Sequence, residues 1–117
     1  MFAIEAEVSG DMLILHVTGD ILLPTAISFQ EEISKFVFAK KLPEVIIDLS
    51  QIGKMDNAAL GVLVTLSTLY GKRGRRLFLF SPAKHVEELI KDIGIEKFFP
   101  IFETDEELHN HSLSDSE

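Results

Sequence analysis

The sequence predicts a mixed α/β domain, and two features carry this prediction. Apolar and polar residues alternate through residues 2–8, and a second apolar segment covers residues 12–18 after the Ser9-Gly10-Asp11 turn, as in a β-hairpin. Short β-branched segments then alternate with stretches of helical periodicity, which is typical of crossover units. The expected order is β-β-α-β-α-β-α-β-α, a mixed sheet that begins with a hairpin and is flanked by about four helices.

The first helix and the central strand have distinct signatures. Pro24 suits the first turn of a helix, and Lys40-Lys41 and Pro43 end the periodic pattern. The apolar residues that recur between them are Ile27, Phe29, Ile33, Phe36 and Val37. Residues 45–49 are short, β-branched and almost continuously apolar, as expected of a strand that is covered on both faces.

Turn and capping residues place the next elements. A loop through Gly53 is expected to lead to Asp56 or Asn57, either of which can cap a helix from about Asn57 to Tyr70. Gly71 ends this helix, and residues 76–80 form another strand.

The C-terminal third is predicted to contain two more helices. Ser81-Pro82 opens one that ends at Gly94, and a short strand follows near residues 99–102. Thr104-Asp105-Glu106-Glu107 has the spacing of a capping box and starts a last short helix. Residues 109–117 are polar and are predicted to be a disordered tail, so the domain is expected to cover residues 1–108.

Composition excludes several classes of function. The chain has no cysteine, which removes disulfides, thiolate zinc sites and thiol catalysis and fits a reducing compartment. Its apolar runs are far shorter than the roughly 20 residues that cross a bilayer, and no signal peptide is evident, so we expect a cytoplasmic protein without membrane insertion. A formal charge of −8 disfavours nucleic acid, and the basic cluster at residues 72–76 is interpreted as a solvated turn.

No catalytic motif is present, so we predict that the protein is not an enzyme and needs no cofactor. Asp20, Asp48 and Asp56 follow predicted strands or precede a helix and could meet at one sheet edge to hold Mg²⁺. Capping and solvated loop roles explain these aspartates more simply. The histidines are interpreted as surface residues: His16, His85, His109 and His111.

The predicted helix over residues 57–70 has no charged residue. At 100° per residue its core stripe comprises Ala59, Val62, Leu63, Leu66, Leu69 and Tyr70. The opposite face comprises Asn57, Leu60, Gly61, Val64, Ser67 and Thr68, where a surface helix would normally carry charges. We therefore expect Leu60 and Val64 to contact a protein partner; burial under the termini or in a homodimer is the alternative.

Several segments in this order resemble the STAS domain of anti-sigma factor antagonists. They are Gly19 after the second strand, residues 45–50 continuing to residues 55–61, residues 76–80 before Ser81-Pro82, and Gly94-Ile95 followed by residues 98–100. The resemblance covers nearly the whole chain. It implies binding to an anti-sigma factor of the histidine-kinase ATPase fold, which phosphorylates a serine of the antagonist in the motif Asp-Ser-Ser-Gly-Leu-Gly.

Two departures from the family pattern lie on the implied partner surface. The matching stretch here is residues 56–61, which places Ala58, without a hydroxyl, at the acceptor serine. After Gly19 and Asp20, where the family often has an acidic residue in the loop, this chain has Leu22-Leu23. The resemblance implies a partner surface formed by Asp20, Leu22, Asp56, Asn57, Ala58, Leu60, Gly61 and Val64. The chain is then either an antagonist fixed in its binding-competent form or a structural subunit of a signalling complex or lipid-transport ABC system.

Overall fold

A computed structural model of the chain describes residues 1–115. It contains the strands β1 (Phe2–Ser9), β2 (Met12–Ile21), β3 (Glu44–Asp48), β4 (Ile52–Met55), β5 (Arg76–Phe80) and β6 (Ile101–Phe102). β1 and β2 form an antiparallel hairpin, and all other pairings are parallel. The strand order is β1-β2-β3-β5-β6, with β4 paired to β2. The mixed sheet that the sequence predicts is therefore confirmed, and so is its N-terminal hairpin.

Four α-helices accompany the sheet: α1 (Ala26–Ala39), α2 (Asn57–Gly71), α3 (Lys84–Ile93) and α4 (Asp105–Asp115). Short 3-10 turns at Leu23–Thr25 and Glu96–Phe98 precede α1 and β6. Gly94 ends α3 in the left-handed conformation, with φ of 71°, as its position predicts. α3 begins at Lys84, after Ser81-Pro82, because Ser81 has a positive φ of 46° and donates its backbone N–H to Phe102 O on the neighbouring strand, at 2.7 Å.

The two faces of the sheet are covered differently. One face packs against α1, α2 and α3 and forms the main core, in which Phe29, Ile47 and Leu63 are fully buried. The other face carries a smaller apolar cluster of Met12, Ile14, Ile46 and Phe78, against which Leu108 of α4 packs. Burial on both faces explains why the centre of β3, residues 45–47, is apolar.

The loop predicted between β3 and α2 contains a strand that the sequence analysis missed. β4 pairs with the end of β2, where Gly19 lies opposite Ile52 and Ile21 lies opposite Met55. Ile52 and Met55 are both buried, which accounts for the pairing. β4 has only four residues, among them a glycine and a lysine, so its sequence is too short to show the alternation of a strand.

The tail predicted to be disordered is helical in the part that the structure describes. α4 continues to Asp115, while residues 116–117 lie outside the described residues. His111 Nε2 contacts Glu44 Oε2 at 2.8 Å, and the His111 ring packs against Phe78 and Phe102 with centroids 5.0 Å apart. These contacts hold the end of α4 against the sheet. They could not be predicted from the polar composition of residues 109–117.

Candidate partner-binding site

The first turn of α2 is fixed by the carboxylate of Asp56, which contacts two parts of the chain. Its Oδ1 accepts the backbone N–H of Ala59 at 3.1 Å, the usual N-cap interaction. Its Oδ2 accepts the backbone N–H of Leu23 at 2.8 Å. One side chain therefore caps α2 and also holds the 3-10 turn before α1 beside it.

An open groove of about 470 Å³ lies at this junction. Its lining residues are Leu23, Met55, Asp56, Asn57, Ala58 and Leu89. Leu23 is 71% exposed, and so is Ile27, four residues further on in the first turn of α1. Exposed aliphatic side chains next to a groove are typical of a protein-binding surface.

Hydrogen bonds to the backbone of β4 hold the neighbouring loop. Asp20 Oδ1 accepts the backbone N–H of Lys54 at 2.8 Å, and His85 Nε2 of α3 donates to Gly53 O at 2.6 Å. A Cβ at Gly53 would displace the Asp20 carboxylate and approach Gly19 O to 3.0 Å, so glycine permits the close contact between this loop and the end of β2. The segment before α2 is thus tied to both β2 and α3.

The structure brings together some of the residues that the sequence assigns to the partner surface. Asp56, Asn57 and Ala58 line the groove. Leu22 is half-buried beside Leu23. Asp20 lies at the β4 side of the same region, where its carboxylate is engaged by Lys54 N.

The predicted position of Leu60 on the outer face of α2 is wrong. The predicted outer face of α2 includes Leu60, but its side chain is fully buried in the main core. The error has a physical cause, since α2 packs against α1 and the Leu23–Thr25 turn as well as the sheet, which widens its buried arc. Leu69, predicted to be core, is 39% exposed because the buried arc is also displaced towards Leu60 and away from Leu69.

The exposed face of α2 is therefore displaced from the predicted one, since Leu60 is buried and Leu69 is exposed. Gly61 is exposed, and Val64 is half-buried against the core. Both lie one or two turns beyond the groove, so they remain candidates for the edge of a partner surface. The structure adds Ile27 and Leu89 to that surface, and it places Leu23, the second of the two leucines noted in the sequence, in the groove.

The three aspartates considered for Mg²⁺ have other partners. Asp48 Oδ1 accepts the backbone N–H of Ser50 at 2.9 Å, and its Oδ2 lies 2.6 Å from His16 Nδ1. Asp20 and Asp56 bind backbone amides, as described above. Within residues 1–115, no group of three histidine or acidic side chains could hold a metal ion. The described part of the chain also has no helix of the length and apolarity that crossing a membrane requires.

Comparison with known proteins matches residues 3–108 to the model of the STAS domain. Among solved structures, a Thermotoga maritima protein assigned as an anti-sigma factor antagonist aligns with a TM-score of 0.82 and 20% identity over 92% of each chain. An anti-sigma factor antagonist from Mycobacterium paratuberculosis aligns with a TM-score of 0.81 and 23% identity, over 94% of this chain and 93% of that one. At these identities the structural likeness concerns the fold.

A curated relative that matches this chain in sequence is much longer than the chain. Sulfate transporter 3.2 of Arabidopsis thaliana is 22% identical over 111 residues, which is 81% of this chain. The chain spans only 17% of that relative's length. A segment similar in sequence to this chain therefore occurs as a small part of a much longer transporter.

Proposed function

Because the chain belongs to the STAS domain family, we propose that it is a cytoplasmic protein-interaction regulator that resembles an anti-sigma factor antagonist. Its partner would be an anti-sigma factor of the histidine-kinase ATPase fold. Binding would require no catalysis and no cofactor. The two anti-sigma factor antagonists with the same fold and nearly the same length support this proposal.

The observation that carries the proposal is the groove at the start of α2. A groove bounded by Leu23 and Leu89 offers an apolar contact area, while Asn57 and the Asp56 carboxylate supply polar groups at its edge. Truncation of a well-buried interface residue typically costs about 1–3 kcal/mol of binding free energy. Leu23 and Ile27, both 71% exposed, are the residues from which we expect such a contribution.

Ala58 determines the kind of regulation. It lines the groove at the position that matches the acceptor serine of the family, and its methyl group cannot accept a phosphate. A phosphate there would add close to two negative charges to the binding surface. We infer that this surface keeps one charge state, which fixes the protein in its binding-competent form.

A second candidate function is a structural subunit of a larger assembly, such as a signalling complex or a lipid-transport ABC system. The relative in which the matching segment is 17% of a sulfate transporter is the observation in its favour. In that case the same groove would contact a permanent partner subunit. A homodimer through the groove is a further form of this alternative.

Affinity purification of the tagged protein, with the retained proteins identified by mass spectrometry, tests the proposal. We expect an anti-sigma factor of the ATPase fold to be retained by the natural protein and lost with Leu23→Asp. The matched control is Ile93→Asp, because Ile93 is a 42% exposed aliphatic residue at the end of α3. Retention of transporter subunits would favour the second candidate, and equal retention by both variants would show that the groove is not the binding surface.

A further inference from the structure

A cluster of cations lies at the opposite end of α2 from the groove. The cluster, here called the basic end, consists of Lys40, Lys41, Lys72, Arg73, Arg75 and Arg76. Six of the eleven basic residues are found here, so the remainder of the chain has five basic side chains against nineteen acidic ones. The segments 34–43 and 69–77, which contain the basic end, carry no acidic residue. The protein is therefore electrically polarised despite its net charge of −8.

The arginines of the basic end have structural partners. Arg75 donates from a guanidinium nitrogen to Val37 O at 2.9 Å, and Arg76 lies 4.0 Å from the buried carboxylate of Glu44. The Arg73 guanidinium stands 5.5 Å above the ring centre of Phe38, which is 54% exposed. This cation-π contact joins the end of α1 to the end of α2.

The lysines, by contrast, have no ion-pair partner within the part of the chain that the structure describes. Lys40 and Lys72 follow the last residues of α1 and α2, where a cation complements the helix dipole. That role does not account for Lys41 or for the exposed phenyl ring of Phe38. The positive charges of these lysines are therefore not balanced by acidic side chains in the described part of the chain.

An apolar groove adjoins the basic end along α2. It has a volume of about 340 Å³ and is lined by Val64, Thr65, Thr68, Leu69 and Lys72. Leu69 is 39% exposed, so an apolar contact point lies within one turn of Lys72. Apolar and cationic groups are thus side by side on one surface.

We propose that the basic end and this groove form a second docking surface, which binds an acidic segment with apolar side chains from a partner protein. Carboxylates of the segment would meet Lys40, Lys41 and Lys72, while an apolar side chain would contact Leu69. The inference does not depend on the proposed antagonist function, because it concerns the other end of α2. A helix of 15 residues is about 22 Å long, which leaves room for a different protein at each end.

Charge favours a peptide over an anionic membrane. A membrane surface is extended, so it also approaches acidic side chains beyond the basic end, whereas a narrow peptide meets the basic end alone. Electrostatic interactions are screened over about 8 Å at physiological salt, and the shortest dimension of the molecule is 24 Å. The acidic residues on the far side therefore do not oppose a locally bound peptide.

Fluorescence anisotropy of a short fluorescein-labelled peptide of alternating glutamate and leucine tests this proposal. We expect binding that weakens as salt is raised and that weakens on the order of tenfold with Lys41→Glu/Lys72→Glu. Lys84→Glu/Lys91→Glu makes the same charge change on α3 and should bind like the natural protein. A peptide in which glutamine replaces glutamate should not bind, and Leu69→Asp should weaken binding of the acidic peptide.

Three results would overturn the proposal. One is equal loss of peptide binding in both double lysine variants, which would mean that only net charge matters. Another is absence of binding by the natural protein at low salt. The third is sedimentation with vesicles of phosphatidylglycerol and phosphatidylcholine without any peptide binding, which would assign the basic end to a membrane surface. Thermal unfolding of each variant, compared with the natural protein, shows that the fold is retained.

Discussion

His16 Nδ1 lies 2.6 Å from Oδ2 of Asp48, its neighbour across the parallel β2–β3 pairing. The other ring nitrogen, Nε2, lies 2.8 Å from Glu7 Oε1 on β1. The imidazole is therefore held between two carboxylates on three adjacent strands. The hydrogen bond to Glu7, together with the contact to Asp48, raises the pKa of His16 above its ordinary value of 6.5, against the opposing effect of partial burial.

This arrangement predicts a pH dependence of stability. Because the folded-state pKa of His16 is raised, protonation favours the folded state; the contribution is complete below the unfolded-state pKa and is lost as pH rises through the folded-state pKa. We expect the urea midpoint of the natural protein to fall as pH rises from the unfolded-state pKa of His16, about 6.5, through its folded-state pKa. His16→Gln should make the urea midpoint depend less on pH, whereas His109→Gln, at an exposed position on α4, should not change the pH dependence. An unchanged slope in His16→Gln would assign the pH dependence to other groups.

The burial of Leu60 predicts a contrast between two neighbouring apolar residues of α2. Leu60→Ala should lower the free energy of unfolding by about 2–5 kcal/mol, because it leaves a cavity in the main core. Val64→Ala, at a half-buried position, should cost less than about 1.5 kcal/mol. Equilibrium urea unfolding of both variants measures the difference. Similar small losses at both positions would place Leu60 on the surface after all.

The packing of α4 predicts that its second half contributes to stability. Removing residues 109–117 takes away the contact between His111 and Glu44 and uncovers the rings of Phe78 and Phe102. We expect a loss of about 1–2 kcal/mol, equivalent to a fall in the melting temperature of roughly 4–10 °C. Differential scanning calorimetry measures it, with His109→Ala as the control. A truncated chain with an unchanged melting temperature would show that α4 beyond Leu108 is dispensable.

The position of Ala58 predicts the response to a kinase. Incubated with ATP and a kinase-fold partner, the natural protein should gain no phosphate at the start of α2, because Asn57 and Ala58 have no hydroxyl group. Ala58→Ser should be phosphorylated and should then bind the partner more weakly, since the added charge lies in the groove. Intact-mass measurement with peptide mapping checks both. A phosphate on Ser50 or Thr65 of the natural protein that lowers affinity would contradict the unswitched interpretation.

Most of the architecture could be predicted because strong patterns specify it. The centre of β3, residues 45–47, is continuously apolar, Gly94 ends α3, and Asp56 caps α2 through Ala59 N. The elements that were missed depend on contacts distant in sequence. β4 is recognisable only from its pairing with β2, and the end of α4 only from the place of His111 on the sheet.

The candidate site was predicted less completely than the fold. Asp56, Asn57 and Ala58 could be found because they match a local motif. The burial of Leu60 could not, since a helical wheel gives the direction of each side chain but not the width of the arc that neighbouring elements cover. Ile27 was assigned to an apolar stripe for the same reason, although the structure leaves it exposed.

The methyl group of Ala58 also affects how the protein could be controlled in a cell. Because the surface cannot be phosphorylated at this position, the fraction of it that is bound depends only on the affinity for the partner and on the concentrations of the two proteins. On the proposed function, the amount of free partner would fall steeply once the protein is made in excess over that partner, as in a titration near its equivalence point. Control would then rest on the rates of synthesis and degradation of the two proteins, and the signal would last as long as the protein itself.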